Sequence, residues 1–152
     1  MPRDASLFSF PDDPDWGGLR RAGVPGLLSL GVFLSDLSEG ERWSCAYLAT
    51  PYHEYDGGPV LAAEMAEEWR SQIEGYGVAV VSPAVMSQRI VDRRGAFNSI
   101  ATALPRWSTL LAGADLVIVP PMPGWDQSRD VWCAARAALE AQTPVFVLGV
   151  VS

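Results

Sequence analysis

The residues whose types could do chemistry gather in two loops, TPYHEYDGG at 50–58 and PMPGWDQSRD at 121–130. In the second, Ser128, Arg129 and Asp130 stand where a helix begins. The serine suits the cap of that helix, because its side-chain oxygen can accept a first-turn backbone N–H. It equally suits an anion site, since free N–H groups and the helix dipole attract negative charge there and Arg129 adds a cation. Gly124 and Trp125 sit in the turn just before, and the indole either packs the loop or acts as a lid over a bound ring. In the first loop, Thr50, Tyr52 and His53 follow a strand that carries Tyr47. A lone histidine is commonly a surface residue; ligand contact is the alternative.

These loops need elements to hold them. Residues 115–120 form an apolar run of strand length, as a parallel strand covered on both faces requires. Val131, Ala134, Ala135 and Ala138 then share one face at helical spacing, and residues 145–148 resume the strand pattern, which makes a βαβ unit. Upstream, residues 43–49 and 78–82 predict two more strands. Between them Pro59 opens a helix whose Leu61, Met65, Trp69 and Ile73 form an i, i+4 stripe, closed by Gly75 and Gly77. Residues 83–95 read as mostly loop, with Arg89, Arg93 and Arg94 either solvated or set over a phosphate or acidic partner. Residues 97–112 read as helix, broken or restarted at Pro105. The polar stretch 38–42 reads as a turn. Residues 1–42 form an N-terminal arm outside the 43–152 domain, and residues 27–34 in it supply a possible extra strand.

Alternating strands and helices imply a single flavodoxin-like, Rossmann-like domain of three layers, with a parallel sheet of four to five strands. In such a sheet ligands bind beyond the carboxyl ends of the strands, where the strand order reverses. If residues 43–49 and 115–120 flank that point, both loops face one crevice.

Composition removes several chemistries. The 152 residues include 11 basic ones, all Arg, against 18 acidic ones, for a net charge of −7, so a duplex nucleic acid is not the expected partner. Without Lys there is no P-loop, no Schiff base and no Lys general base, and one histidine leaves little room for a metal cluster. Cys45 and Cys133 form no CxxC pair and read as buried free thiols. No GxGxxG follows the first strand, which disfavours an NAD dehydrogenase, and no cofactor is expected. Glu67 and Glu68 read as the outer face of their helix. No stretch reaches the roughly 20 apolar residues of a membrane span. Asp4, Asp12, Asp13 and Asp15 precede the short apolar run 26–34, against a signal peptide, so a cytoplasmic location without membrane partners is expected.

YLATPY at 47–52, an apolar strand ending in SP, then GADLVIVPPMPGWDQS and a helix leading to TPVFVL resemble the nucleoside 2-deoxyribosyltransferase-like superfamily, in particular its bacterial and phage branch of uncharacterised domains with YLAxPY and PxPGWxxS motifs. The resemblance covers about residues 43–150. It implies binding of a nucleoside or nucleotide, and cleavage or exchange of an N-glycosidic bond by a helix Glu, with further Asp residues orienting the sugar. Carried over by position, that Glu falls on Ala134, a family Gly on Asp130, and an orienting Asp on Trp107. Covalent glycosyl transfer needs a carboxylate within reach of the anomeric carbon. The expectation is therefore a nucleoside- or nucleotide-binding protein lacking the usual nucleophile. The alternative is an active N-glycosidase or deoxyribosyltransferase with Asp130 as a relocated catalytic acid. Asp115 is expected to be structural, accepting backbone hydrogen bonds at its strand start. The six Trp and the apolar residues Leu7, Phe8, Phe10 and Trp16 of the arm suggest a homodimer or larger assembly.

Overall fold

The computed structural model describes residues 13–22, 27–38, 43–52, 55–94 and 107–149. A five-stranded, all-parallel sheet runs through the centre, with β1 (Leu28–Val32), β2 (Ala46–Leu48), β3 (Val80–Val81), β4 (Leu116–Val119) and β5 (Val145–Leu148) in the order β1-β5-β4-β2-β3. Setting β1 aside, the remaining strands follow the flavodoxin-like order, and β1 occupies the edge next to β5. The register pairs Leu28 with Val145 and Tyr47 with Val117. β1 bulges between Leu30 and Val32, where Gly31 adopts φ 71°, and a Cβ on the facing Gly149 would meet the Gly31 Cα at 3.2 Å.

Alternate strand residues face opposite layers. On one side Tyr47, Val117, Val119, Val145 and Val147 pack against α1 (Trp16–Ala22), α4 (Trp107–Ala112) and α5 (Arg129–Glu140). On the other, Ala46, Leu48, Val80, Leu116 and Ile118 meet α2 (Pro59–Glu74) and α3 (Pro83–Arg94). β4 is buried at all four positions, as its unbroken apolar sequence requires. The four alanine- and valine-bearing positions singled out on α5 are all buried.

Two elements depart from the sequence reading. Residues 83–94 are helix and not mostly loop: Ser82 Oγ accepts the Val85 N–H at 3.3 Å, so Ser82 caps a helix that Pro83 opens. The side chains of Arg89, Arg93 and Arg94 lie outside the description. In α2 the buried residues are Ala62, Ala63, Ala66 and Ile73, while Leu61 is exposed and Met65 and Trp69 are half-buried. The helix is thus rotated by about one residue from the Leu–Met–Trp stripe, because the alanines allow closer approach to the sheet. Part of the N-terminal arm is folded onto the domain: Asp15 Oδ1 accepts the Gly18 N–H at 2.9 Å at the start of α1, and Leu19 is fully buried. Residues 1–12, and with them Leu7, Phe8 and Phe10, lie outside the described residues, as do 95–106.

Candidate functional site

The strand order reverses between β2 and β4, and the segments leaving their carboxyl ends enclose a crevice. It is divided in two. Both cavities are built by the loops identified from sequence, but α3 also contributes.

The first cavity, about 310 Å³, is lined by Tyr47, Leu48, Ala49, Thr50 and Tyr52 from β2 and its loop, by Pro83, Ala84 and Ser87 from α3, and by Arg129, Asp130 and Cys133 from α5. Its volume lies at the lower end of the roughly 300–1,000 Å³ of small-molecule sites. Burial, then the nearby Asp130 and Cys133, push the Tyr47 phenol well above its ordinary value, so it stays protonated and able to donate a hydrogen bond. Tyr52 donates through its hydroxyl to Gln88 Oε1 at 2.9 Å, which ties the β2 loop to α3. The Thr50 hydroxyl is buried and has no hydrogen-bond partner among the described residues.

The second cavity, about 350 Å³, is lined by Pro51, Tyr55, Asp56, Gly57 and Leu61 on one side and Pro123, Gly124, Gln127 and Ser128 on the other. Tyr55 is held by a hydrogen bond from its hydroxyl to Met65 Sδ at 2.9 Å. Gly124 has φ 78°, a left-handed conformation that favours glycine and turns the chain into a short 3₁₀ segment, Trp125–Gln127.

One hydrogen bond joins the two loops. Asp130 Oδ2 accepts the Tyr52 backbone N–H at 3.0 Å, joining the first loop to the start of α5. Thr50 and Tyr52 face one cavity and Pro51 the other, as expected for extended backbone.

Of the residues singled out from sequence, Tyr47, Thr50, Tyr52, Arg129 and Asp130 therefore line the first cavity, and Gly124 and Ser128 the second. Ser128 is the N-cap of α5, its Oγ accepting the Val131 N–H at 3.3 Å. Trp125 lines neither cavity; its ring meets Trp16 edge-on with centroids 5.1 Å apart. His53 lies outside the described residues. Asp115 lies at the opposite end of the sheet, where its carboxylate accepts the N–H groups of Ser44 at 2.8 Å and Cys45 at 3.1 Å. Burial, reinforced by Asp115, raises the Cys45 thiol above its usual value. The thiols themselves depart from the expected burial, Cys45 being half-buried and Cys133 exposed on the cavity wall. Ala134, the position carried over for a nucleophile, is 2% exposed in the apolar layer beneath the sheet and lines neither cavity.

Sequence reasoning missed Pro83, Ala84 and Ser87, since it placed them in a loop. The Ser82–Pro83 pair, a cap followed by a proline in the first turn, was the signal available. It also missed Cys133. No group of three or more His, Cys, Asp or Glu suited to a metal ion occurs among the described residues. No described helix is long and apolar enough to cross a membrane.

Fold and crevice together define an α/β protein of flavodoxin-like order with its candidate ligand site at the sheet's topological switch point. The family model of the domain of unknown function DUF1937 matches residues 44–150, and the chain belongs to that family. No curated protein and no solved structure matches it.

Proposed function

We propose that this protein binds a nucleoside or nucleotide in the crevice between β2 and β4, without the turnover of an ordinary deoxyribosyltransferase. The observation that carries the reading is the first cavity itself: a space of about 310 Å³ at the switch point, walled by Tyr47 and Tyr52 and edged by Thr50, Ser87 and Asp130. Aromatic walls suit a planar base, and hydroxyl and carboxylate groups suit sugar hydroxyls. The relation to the nucleoside 2-deoxyribosyltransferase-like superfamily is part of the proposal. It is supported by the way YLATPY and PMPGWDQSRD, far apart in sequence, meet across the Tyr52–Asp130 hydrogen bond.

One observation favours a second reading, an N-glycosidase or transferase. Asp130 is the one carboxylate lining the first cavity among the described residues, and the Tyr52 N–H fixes one of its oxygens. A thermal-shift screen over nucleosides and their monophosphates, followed by assay for free base, separates the two. At a ligand concentration of 100 times Kd, binding adds about 2.7 kcal/mol, or roughly 5–10 °C in Tm for a chain of this size. A shift without base release supports the binder. Base release abolished by Asp130→Asn supports the enzyme, and no shift with any nucleoside or nucleotide rejects both.

Self-association and a cytoplasmic home belong to the same proposal. Leu30 and Phe33, 44% and 53% exposed at the β1 edge, offer apolar surface for a second copy, and a monomer by light scattering at micromolar concentration would refute a homodimer.

A further inference from the structure

We propose that Asp130 is the specificity-determining residue of the crevice, turning it away from phosphate-bearing molecules and toward uncharged ones; this rests on the nucleoside-type reading above and narrows its ligand class. A helix start beside a glycine-containing loop ordinarily offers a phosphate two things, unpaired backbone N–H groups and positive potential. Here most N–H groups of the loop leading into α5 are already paired, and a carboxylate opposes the dipole within the helix's first turn. The N–H of Trp125 goes to Met122 O at 3.1 Å, that of Gln127 to Gly124 O at 3.1 Å and that of Ser128 to Trp125 O at 3.3 Å. The Val131 N–H goes to Ser128 Oγ and the Tyr52 N–H to Asp130 itself.

The charges point the same way. Arg129 is the one cationic residue lining either cavity among the described residues, and its guanidinium, 65% exposed, is paired with Asp13 Oδ1 at 3.0 Å. Asp130 sits in the first turn of α5, where a bound anion would gain most from the dipole, and Asp56 adds a second carboxylate to the other cavity. A monophosphate entering either cavity would meet a carboxylate and its repulsion. A neutral sugar or base would find acceptors.

Cys133 lies three residues on from Asp130 along α5, on the wall of the same cavity, and serves as a reporter of this field. In a Cys45→Ser background it is the sole thiol, and its alkylation by neutral iodoacetamide is compared with that by anionic iodoacetate. Asp130→Asn keeps a side-chain oxygen for the Tyr52 N–H and removes the charge. We expect the iodoacetate-to-iodoacetamide rate ratio to rise about tenfold at low ionic strength, the effect of a unit charge at roughly 6 Å with an effective dielectric of about 40. The gain should shrink as salt is added. Altered access to the thiol would move both rates together and leave the ratio fixed. A ratio unchanged in Asp130→Asn and in Asp130→Ser overturns the proposal.

Calorimetry with adenosine and adenosine 5′-monophosphate supplies the second arm. The wild type should prefer adenosine by about tenfold or more, by the same electrostatic argument, and Asp130→Asn should narrow the difference. A wild-type preference for the monophosphate overturns the proposal. If neither binds, nor any other nucleoside and its monophosphate, the nucleoside-type reading falls, and the alkylation ratio still decides whether Asp130 is the charge filter.

Discussion

Replacing Trp16 by alanine should destabilise the whole domain, although this residue precedes the segment matched by the family. Its ring meets Trp125 with centroids 5.1 Å apart and Trp132 with centroids 5.3 Å apart, both edge-on, in the layer that also buries Leu19 completely. A fully buried Trp→Ala change costs about 3–5 kcal/mol, and Trp16 is half-buried, so roughly 2 kcal/mol follows from lost burial. Two edge-to-face pairs add about 0.5–1.5 kcal/mol each. Against this, the buried indole Nε1 of Trp16 has no hydrogen-bond partner among the described residues, and its removal returns about 1 kcal/mol. The net loss is about 2–4 kcal/mol, a large fraction of the roughly 5–15 kcal/mol that holds a typical domain together. Urea unfolding followed by circular dichroism measures it without relying on indole fluorescence. Trp16→Phe keeps a ring against both neighbours and deletes the unpaired N–H, so it should stay within about 1 kcal/mol of the wild type. A Trp16→Ala protein with an unchanged urea midpoint and slope would refute the reasoning, since it would mean that α1 contributes nothing to the core it covers.

Other substitutions test single features. Gln142 has φ 62° in the turn after α5, where its N–H reaches Leu139 O at 3.1 Å and the Thr143 N–H reaches Ala138 O at 2.7 Å. Gln142→Gly relieves that left-handed residue and should raise the midpoint of chemical unfolding by an amount worth about 0.5–1 kcal/mol. Thr50→Val keeps the shape and removes a buried, unpaired hydroxyl; a stability gain of about 1 kcal/mol is expected in the unliganded protein, and a loss would contradict the missing partner. The raised Tyr47 value makes stability alkali-sensitive in a stated direction: its contribution is full below the ordinary tyrosine value of about 10, where the unfolded chain still holds the proton, and is lost as pH climbs above it. Stability measured above about pH 10 should therefore fall less steeply in Tyr47→Phe than in the wild type, and parallel curves would reject the assignment.

How much could be read from residues alone depended on how many layers each segment touches. β4 and β5 are continuous apolar runs because both faces are covered, so their sequence carries their burial directly. α5 was equally legible, since a single face of Val131, Ala134, Ala135 and Ala138 meets the sheet. α2 was not: its large apolar residues suggest one face and its alanines another, and only packing against both sheet and α3 selects the alanines. The first cavity was half legible for the same reason. Its β2 and α5 walls follow from the strand order, whereas the α3 wall depends on a helix whose core residues, Ala84 and Val85, are too few and small to dominate the pattern of 83–94. For α1, a seven-residue helix with two glycines in its sequence, the local signal is weak, and Trp16 and Leu19 find their place through distant residues.

The position of Ala134 bears on what the crevice can do. A helix advances about 100° per residue, so Ala134 stands about 100° round from Cys133 but only about 40° from Asp130, at the border between the apolar face and the cavity face. The apolar layer claims Ala134, and the cavity takes Arg129, Asp130 and Cys133, which stand at i, i+1 and i+4 on the neighbouring stripe. Ala134 is thus part of the apolar core and not of the cavity wall. The carboxylate that does reach the cavity, Asp130, comes from the first turn and is already bonded to the opposite loop through the Tyr52 N–H. That bond makes the acid part of the wall as well as a group inside it: any ligand that draws Asp130 away also loosens the join between the two loops. A change at 130, which lines the cavity, should therefore alter ligand choice more than a change at 134, which does not.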